Sequence, residues 1–307
     1  MDAFQVSRSF DDPDEAAQAI SGTTLEVSVL GPASGAWSLT EVMDGDWRLM
    51  WGRAASPFSG AGTIHRDAML LCWPMSDDTG AWSVNGRPVH GETLVRLESG
   101  ADYACLTNRP LQWAAMVGPA PPDFEGKASF SAREIGREAM ARVRELAREA
   151  VHLARAGPGI AGGVPLGSLV ASLGRLASRE PFAPRRGGHR IGPLMEIVRS
   201  QRHELLDAAA LARIAGLDER TLRREFASHF GISVGRYLRL LRLNDVRRDL
   251  TRPGAVESVT QAAIRHGFFD LGRFAANYRR TFGENPSATL SRSRRALRLA
   301  RLRDPLH

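Results

Sequence analysis

The chain has 307 residues, 43% of them apolar and 24% charged, with a formal net charge of +7, a length that suits two cores better than one. Two cysteines, Cys72 and Cys105, exclude a disulfide-built scaffold, and their strand-like apolar surroundings suggest two buried thiols. No stretch offers about 18 uncharged apolar residues for a helical membrane span; the opening MDAFQVSRSFDDPDEAAQAI lacks the basic start and apolar core of a secretory signal, so a cytoplasmic location is expected. The charge is unevenly distributed. Residues 1–184 carry 16 Lys+Arg against 22 Asp+Glu, a net −6, while residues 185–307 carry 25 against 12, a net +13. A basic half joined to an acidic one is the electrostatic footprint of a partner rich in negative charge, with nucleic acid or an anionic membrane as the candidates. Lys127 is the one lysine among 41 basic residues. Arginine's planar fork can donate two parallel hydrogen bonds to phosphate or guanine.

In chain order, residues 25–118 read as β-rich. The runs LEVSVL, WRLMWG, DAMLLCWPM, GAWSVNG, ETLVRLE and LQWAAMVG hold β-branched and aromatic residues between Gly, Pro, Asn or Asp punctuation. Short strands at this spacing predict a sandwich or small barrel. All six tryptophans, Trp37, Trp47, Trp51, Trp73, Trp82 and Trp113, fall here. From 129 to 155 the period becomes helical, with Ile135, Ala139, Val143, Leu146, Ala150 and Leu153 on one face of a helix largely covered elsewhere by Arg and Glu. That stripe suits packing on the β domain or pairing with a second protomer, and the pattern leaves both open. Gly-Pro clusters at the two ends of residues 156–190 mark a linker, with a short helix around Leu166 to Ser178 and the basic Arg185, Arg186 and Arg190 at its end.

The basic half contains a repeat. Ala212, Gly216, Leu222, Phe226, Phe230 and Gly231 match Ala263, Gly267, Phe274, Tyr278, Phe282 and Gly283. The offset is 51 residues for the first two pairs and 52 thereafter, so the second copy has one extra residue in its turn. A small alanine lets helices approach, a glycine four residues later permits a left-handed turn, and apolar residues at i, i+4 and i+8 anchor the next helix. This spacing is that of a helix-turn-helix. Asp207 and Asp218 are placed to cap the two helices of the first copy; Ser258, with Gln261 as its capping-box partner, and Asp270 are placed to cap those of the second. Asn285-Pro286 suits the start of a further helix, which the tail SRSRRALRLARLRDPLH extends or leaves as a frayed end. About seven helices are expected between Ile191 and Arg295.

LARIAGLDERTLRREFASHFGISVGRYLRLLRLNDVRRDL followed by AAIRHGFFDLGRFAANYRRTFGENPSATL resembles the DNA-binding domain of the AraC/XylS family of bacterial transcription regulators. The resemblance covers roughly 100 residues, and GRYLRLLRL and GF…RRTFGENP carry most of it. It implies an α+β chain: residues 1–155 a β-rich, cupin-like effector-binding or dimerisation domain with its amphipathic helix, 156–190 a linker, and 191–307 an all-α tandem helix-turn-helix domain. It further implies double-stranded DNA as partner, with a small effector, RNA polymerase and a second copy of the chain as further partners, no membrane and no cofactor. Its two recognition helices would enter successive major-groove segments. A helix over 233–250 would be about 27 Å long, against roughly 34 Å between successive turns of the groove.

With Leu222, Phe226 and Phe230 turned inward, Arg220, Thr221, Arg224 and Ser228 fall on the opposite side of the first recognition helix, and Arg223 at its flank is set for phosphate. On the second, Gly272, Arg273, Ala276 and Arg280 face outward. Arg273 is placed for a base, Arg279 and Arg280 for the backbone, and the glycine and alanine predict a weak reader.

In the front half the tryptophans fill a core or line an aromatic pocket in which Arg48, Arg53 or Arg96 orients an anionic effector. The rival reading is a cupin-type metal enzyme fused to a DNA-binding domain. It needs clustered imidazoles and a carboxylate, whereas His65 and His90 stand apart without a His-x-His pair. No nucleophile motif or phosphate-binding glycine loop accompanies them, and the chain reads as a regulator rather than an enzyme.

Overall fold

The computed structural model describes residues 4–79, 82–120, 130–155, 169, 171–173, 194, 197–198, 200–201, 206–252 and 254–303. Two units divide the chain, one of residues 1–27 and 34–192, the other of residues 28–33 and 193–307.

The first unit holds β1 (Phe4–Phe10), α1 (Pro13–Gln18), β2 (Thr23–Val29), β3 (Trp37–Asp44), β4 (Trp47–Ala54), β5 (Phe58–Ile64), β6 (Ala68–Pro74), β7 (Ser83–Val84), β8 (Arg87–Pro88), β9 (Thr93–Leu97), β10 (Asp102–Thr107), β11 (Leu111–Pro119), β12 (Phe130–Glu134) and α2 (Arg137–Arg155). A seven-stranded sheet runs β1-β3-β4-β11-β6-β9-β12 and a five-stranded sheet runs β2-β5-β10-β7-β8. Strand alternation gives the larger sheet two buried faces. On β6, Leu70 and Cys72 turn toward the space between the sheets, while Leu71 and Trp73 join a cluster with Val42, Leu49, Ala114, Met116 and the apolar side of α2. For this reason the run at 68–75 is continuously apolar instead of alternating.

Two expectations need correction here. Residues 129–155 are not one helix: Phe130–Glu134 forms β12, paired with β9 from Phe130↔Leu97 to Glu134↔Thr93, and helix begins at Arg137 after Gly136, whose φ of +85° breaks the helical path. Strand pairing across some 35 residues leaves no local period to read. The buried face of α2 is also wider than the expected stripe. Val143, Leu146 and Ala150 are buried as their spacing implied, and Met140, Ala147 and Val151 complete the contact with the sheet. The stripe is thereby covered by its own β unit. Arg144, on the same helix, is buried. Its Nε donates to Pro74 O at 2.8 Å, Nη1 to Asp77 Oδ1 at 2.6 Å and Nη2 to Ser76 O at 2.9 Å and to Gly91 O. The hydrogen bond and charge of Arg144 hold the Asp77 carboxyl below its usual range.

Beyond residues 28–33, which include the end of β2, the second unit holds the helices α3 (Ala208–Ile214), α4 (Glu219–Phe230), α5 (Val234–Thr251), α6 (Val259–Arg265), α7 (Leu271–Phe282) and α8 (Pro286–Arg303). The long α5 buries Tyr237, Leu238, Leu240, Leu241, Leu243, Val246 and Leu250, which occupy most of its circumference and make it the central post of the unit. The tail continues α8 to Arg303. Of the expected linker, only Leu169 and residues 171–173 are described; they are helical, and Leu169 and Leu173 belong to the α2 cluster. The remainder of 156–190 lies outside the described residues, as does most of 191–205, where the seventh expected helix would fall.

Candidate nucleic-acid interface

Each copy of the repeat builds the same turn. Ala212 and Ala263 are buried at 3% and 0% exposure. Four residues later Gly216 and Gly267 adopt φ of +63° and +77°, and a Cβ at Gly216 would meet open space, so there backbone conformation and not crowding calls for glycine. The N–H of Leu217 then donates to Ala212 O and that of Phe268 to Ala263 O, each at 2.9 Å, closing both helices in the same way. Asp207, Asp218, Ser258 and Asp270 cap α3, α4, α6 and α7 from their side chains. Gln261 reaches back not to Ser258 but to the N–H of Glu257, at 2.7 Å. The second helix of each copy anchors through Leu222 and Phe226, or Phe274 and Tyr278, all at 2% exposure or less. Gly231 and Gly283 close α4 and α7 in the left-handed conformation.

The faces opposite those anchors are basic. Arg220, Arg223 and Arg224 on α4 and Arg273, Arg279 and Arg280 on α7 are all exposed. Arg223 pairs with Glu219 one turn away, Arg224 lies 3.8 Å from Glu225, and Arg280 Nη1 donates to Asn277 Oδ1 at 3.4 Å. Among the described residues the guanidinium groups of Arg220, Arg273 and Arg279 have no hydrogen-bond or ion-pair partner. The two hydroxyl candidates are engaged with their own helix: Thr221 Oγ1 donates to Asp218 Oδ2 at 2.7 Å, and Ser228 Oγ donates to Glu225 O at 3.0 Å. The bonds from Thr221 hold the Asp218 carboxyl below its usual range. A lock on the far side fixes α7 against α8. Tyr278 OH and Thr289 Oγ1 are 3.0 Å apart, Thr289 Oγ1 donates to Glu284 Oε1 at 2.8 Å, and Arg292 grips both Glu284 oxygens at 2.6 and 2.7 Å. Burial pushes the Tyr278 hydroxyl up to about 12, and the Arg292 fork holds Glu284 below the usual carboxylate range.

Residues 211–292 match the family described as "Helix-turn-helix domain". Over 131 residues, 42% of this chain and 39% of the relative, the sequence is 37% identical to the XylDLEGF operon transcriptional activator 1 of Pseudomonas putida. Over 86 residues, 28% of this chain and 26% of the relative, it is 41% identical to the probable thc operon regulatory protein of Rhodococcus erythropolis. The basic half carries an AraC/XylS-family helix-turn-helix domain. The matches span about two fifths or less of those two relatives' own lengths. A solved probable AraC family transcriptional regulator from Rhodopseudomonas palustris CGA009 is 28% identical over 34% of this chain and 98% of its own, with a TM-score of 0.33.

Within the AraC/XylS domain, the copies diverge at the reading end. The extra residue of the second turn is Phe269, between Phe268 and the cap Asp270, and its side chain is 77% exposed. Leu271, the first helical residue of α7, is 39% exposed. Neither stood out in the sequence, although the one-residue offset of the repeat marks the position of Phe269.

Outside that domain, the first unit has a cavity of about 100 Å³ lined by strands of both sheets and by α1. Trp37, Phe58, Trp82, Tyr103, Trp113 and Leu70 are among its walls. Both thiols border it, pushed up to about 12 by burial. Of the three arginines considered for an effector, Arg48 faces Glu41 at 3.5 Å and Arg96 is bound to Glu98 at 2.7 Å; Arg53 alone of the three borders the cavity, with Nη2 donating to Ser34 O at 2.7 Å. His65 and His90 are both exposed, and among the described residues no group of three or more His, Cys, Asp or Glu could hold a metal ion. No helix among the described residues is long and apolar enough to cross a membrane.

Proposed function

We propose that the chain is a sequence-specific transcription regulator that binds double-stranded DNA through α4 and α7 and responds to a small effector held in the β-rich unit. One observation carries this reading: the same capped turn is built twice, and each copy presents an exposed arginine face opposite its buried anchors. Arg220 and Arg224 serve as base readers of the first head and Arg273 of the second; Arg223, Arg279 and Arg280 hold phosphates, and Thr221 and Ser228 approach the backbone as secondary contacts. Residues 1–155 form the effector-binding or dimerisation domain, 156–190 the linker and 191–307 the DNA-binding domain. The effector is a mostly apolar molecule lying among Trp37, Trp82 and Trp113, with its polar end at Arg53. Such a protein works in the cytoplasm, with RNA polymerase and a second copy of itself as further partners.

Selection of binding sites from a randomised double-stranded library by the full chain tests the reading. Two enriched blocks spaced by about one helical turn, roughly 10 base pairs, are expected. Recovery of no enriched sequence contradicts it.

A further inference from the structure

The glycine and alanine of α7 leave the second head with few hydrogen-bonding readers, yet its reading end is not blank. Up to Phe268 the two turns are equivalent, with matching 2.9 Å bonds from Leu217 and Phe268. The second turn then inserts Phe269 before the cap. An apolar residue just before an N-cap ordinarily packs against the fourth helical residue and fixes the entry of the chain. Here that residue is Phe274, and the place beside it is already taken: the Phe268 ring lies 5.2 Å from it, with the Arg242 guanidinium 5.8 Å from the Phe268 ring on the same unit. Phe269 is left 77% exposed, followed by Leu271 at 39%. Two large apolar side chains thus flank the cap of a helix whose exposed cations are Arg273, Arg279 and Arg280, in a half of net charge +13. Packing of the domain gives no reason for apolar groups there; the surrounding charge favours a polyanion, and their place at the start of the second helix of a duplicated helix-turn-helix favours nucleic acid over an anionic membrane.

We propose that Phe269 and Leu271 are specificity-determining residues that read thymine through its 5-methyl group. In the major groove the thymine methyl is the apolar feature of a base edge, and the residues at the start of a recognition helix are those that reach base edges. The first head reads with charged forks, and the second adds apolar contact to its one base-reading fork, Arg273. The inference rests on the DNA-binding reading above and deepens it.

The test exchanges single thymines for uracil, which removes the methyl and keeps the hydrogen-bonding edge. On the site recovered by selection, uracil at the thymines under the second head should weaken binding of the full chain about fourfold per buried methyl. Phe269→Ala with Leu271→Ala should bind thymine and uracil sites equally, while Phe269→Met, which keeps an apolar group, should retain the discrimination. Circular dichroism reports whether the variants stay folded. Equal affinity of the unaltered chain for thymine and uracil sites overturns the proposal, as does discrimination undiminished in the double variant. Failure of the full chain to bind any DNA at low salt overturns the regulator reading itself, and the proposal with it.

Discussion

At the scale of single residues, the two heads differ in how much a single arginine can decide. Arg224 and Arg220 are forked donors on the outward face of α4, where α7 has Ala276 and Gly272. Arg224→Ala should cost about 1 to 3 kcal/mol on the preferred site and relax base choice within one half-site, as expected of the proposed bidentate base contact. Arg280→Ala should weaken binding to all sequences alike and reduce the salt slope by about one unit. Comparing both variants against a randomised library at fixed salt, then titrating salt on the best site, separates these outcomes; unchanged base choice in the Arg224 variant contradicts the assignment. These arginines were legible from the helical wheel because Leu222, Phe226, Phe274 and Tyr278 fix which side is inward. Phe269 was not, since whether an apolar side chain is buried depends on neighbours that periodicity does not name. Nor was the engagement of Thr221 Oγ1 with its cap, a competition that short polar side chains often win at a helix start.

Elements were legible where their own residues specify them. The caps and turn glycines of α3, α4, α6 and α7 act within a few residues, and a continuous α5 follows from its apolar spacing. Non-local pairing hid β12, and small residues weakened the pattern of β5, whose Phe58–Ile64 sequence is FSGAGTI. The span of α2 that could have bound a second protomer lies against the larger sheet, a competition between partners that one sequence cannot settle. The lock between α7 and α8 has a consequence in acid. Because Arg292 depresses the folded-state pKa of Glu284, the stabilisation is present above the ordinary carboxylate value of 4.5 and is lost as pH falls through the lower, folded value. Urea unfolding followed by helical circular dichroism should therefore show a midpoint that drops below pH 4.5, and Glu284→Gln should flatten that part of the dependence while lowering the midpoint at pH 7. An identical acid dependence in the variant contradicts the lock.

For the whole molecule, the uneven charge and the duplicated helix-turn-helix point to the same partner, whereas the β-rich unit carries a cavity whose walls name a chemistry more than a compound. Six tryptophans divide between uses: Trp73 is fully buried in the α2 cluster, and Trp37, Trp82 and Trp113 border the cavity. Their positions in sequence are equivalent in kind, and only the facing of each strand sorts them. The partner assignment is tested most directly by measuring affinity of the full chain for its selected DNA site and for a scrambled duplex of the same composition, across a range of salt concentrations. Binding to both should fall as salt rises, with the selected site held at least about a thousandfold more tightly at physiological salt. Equal affinity for the two duplexes at every salt concentration, or no binding even at low salt, would contradict a sequence-specific regulator.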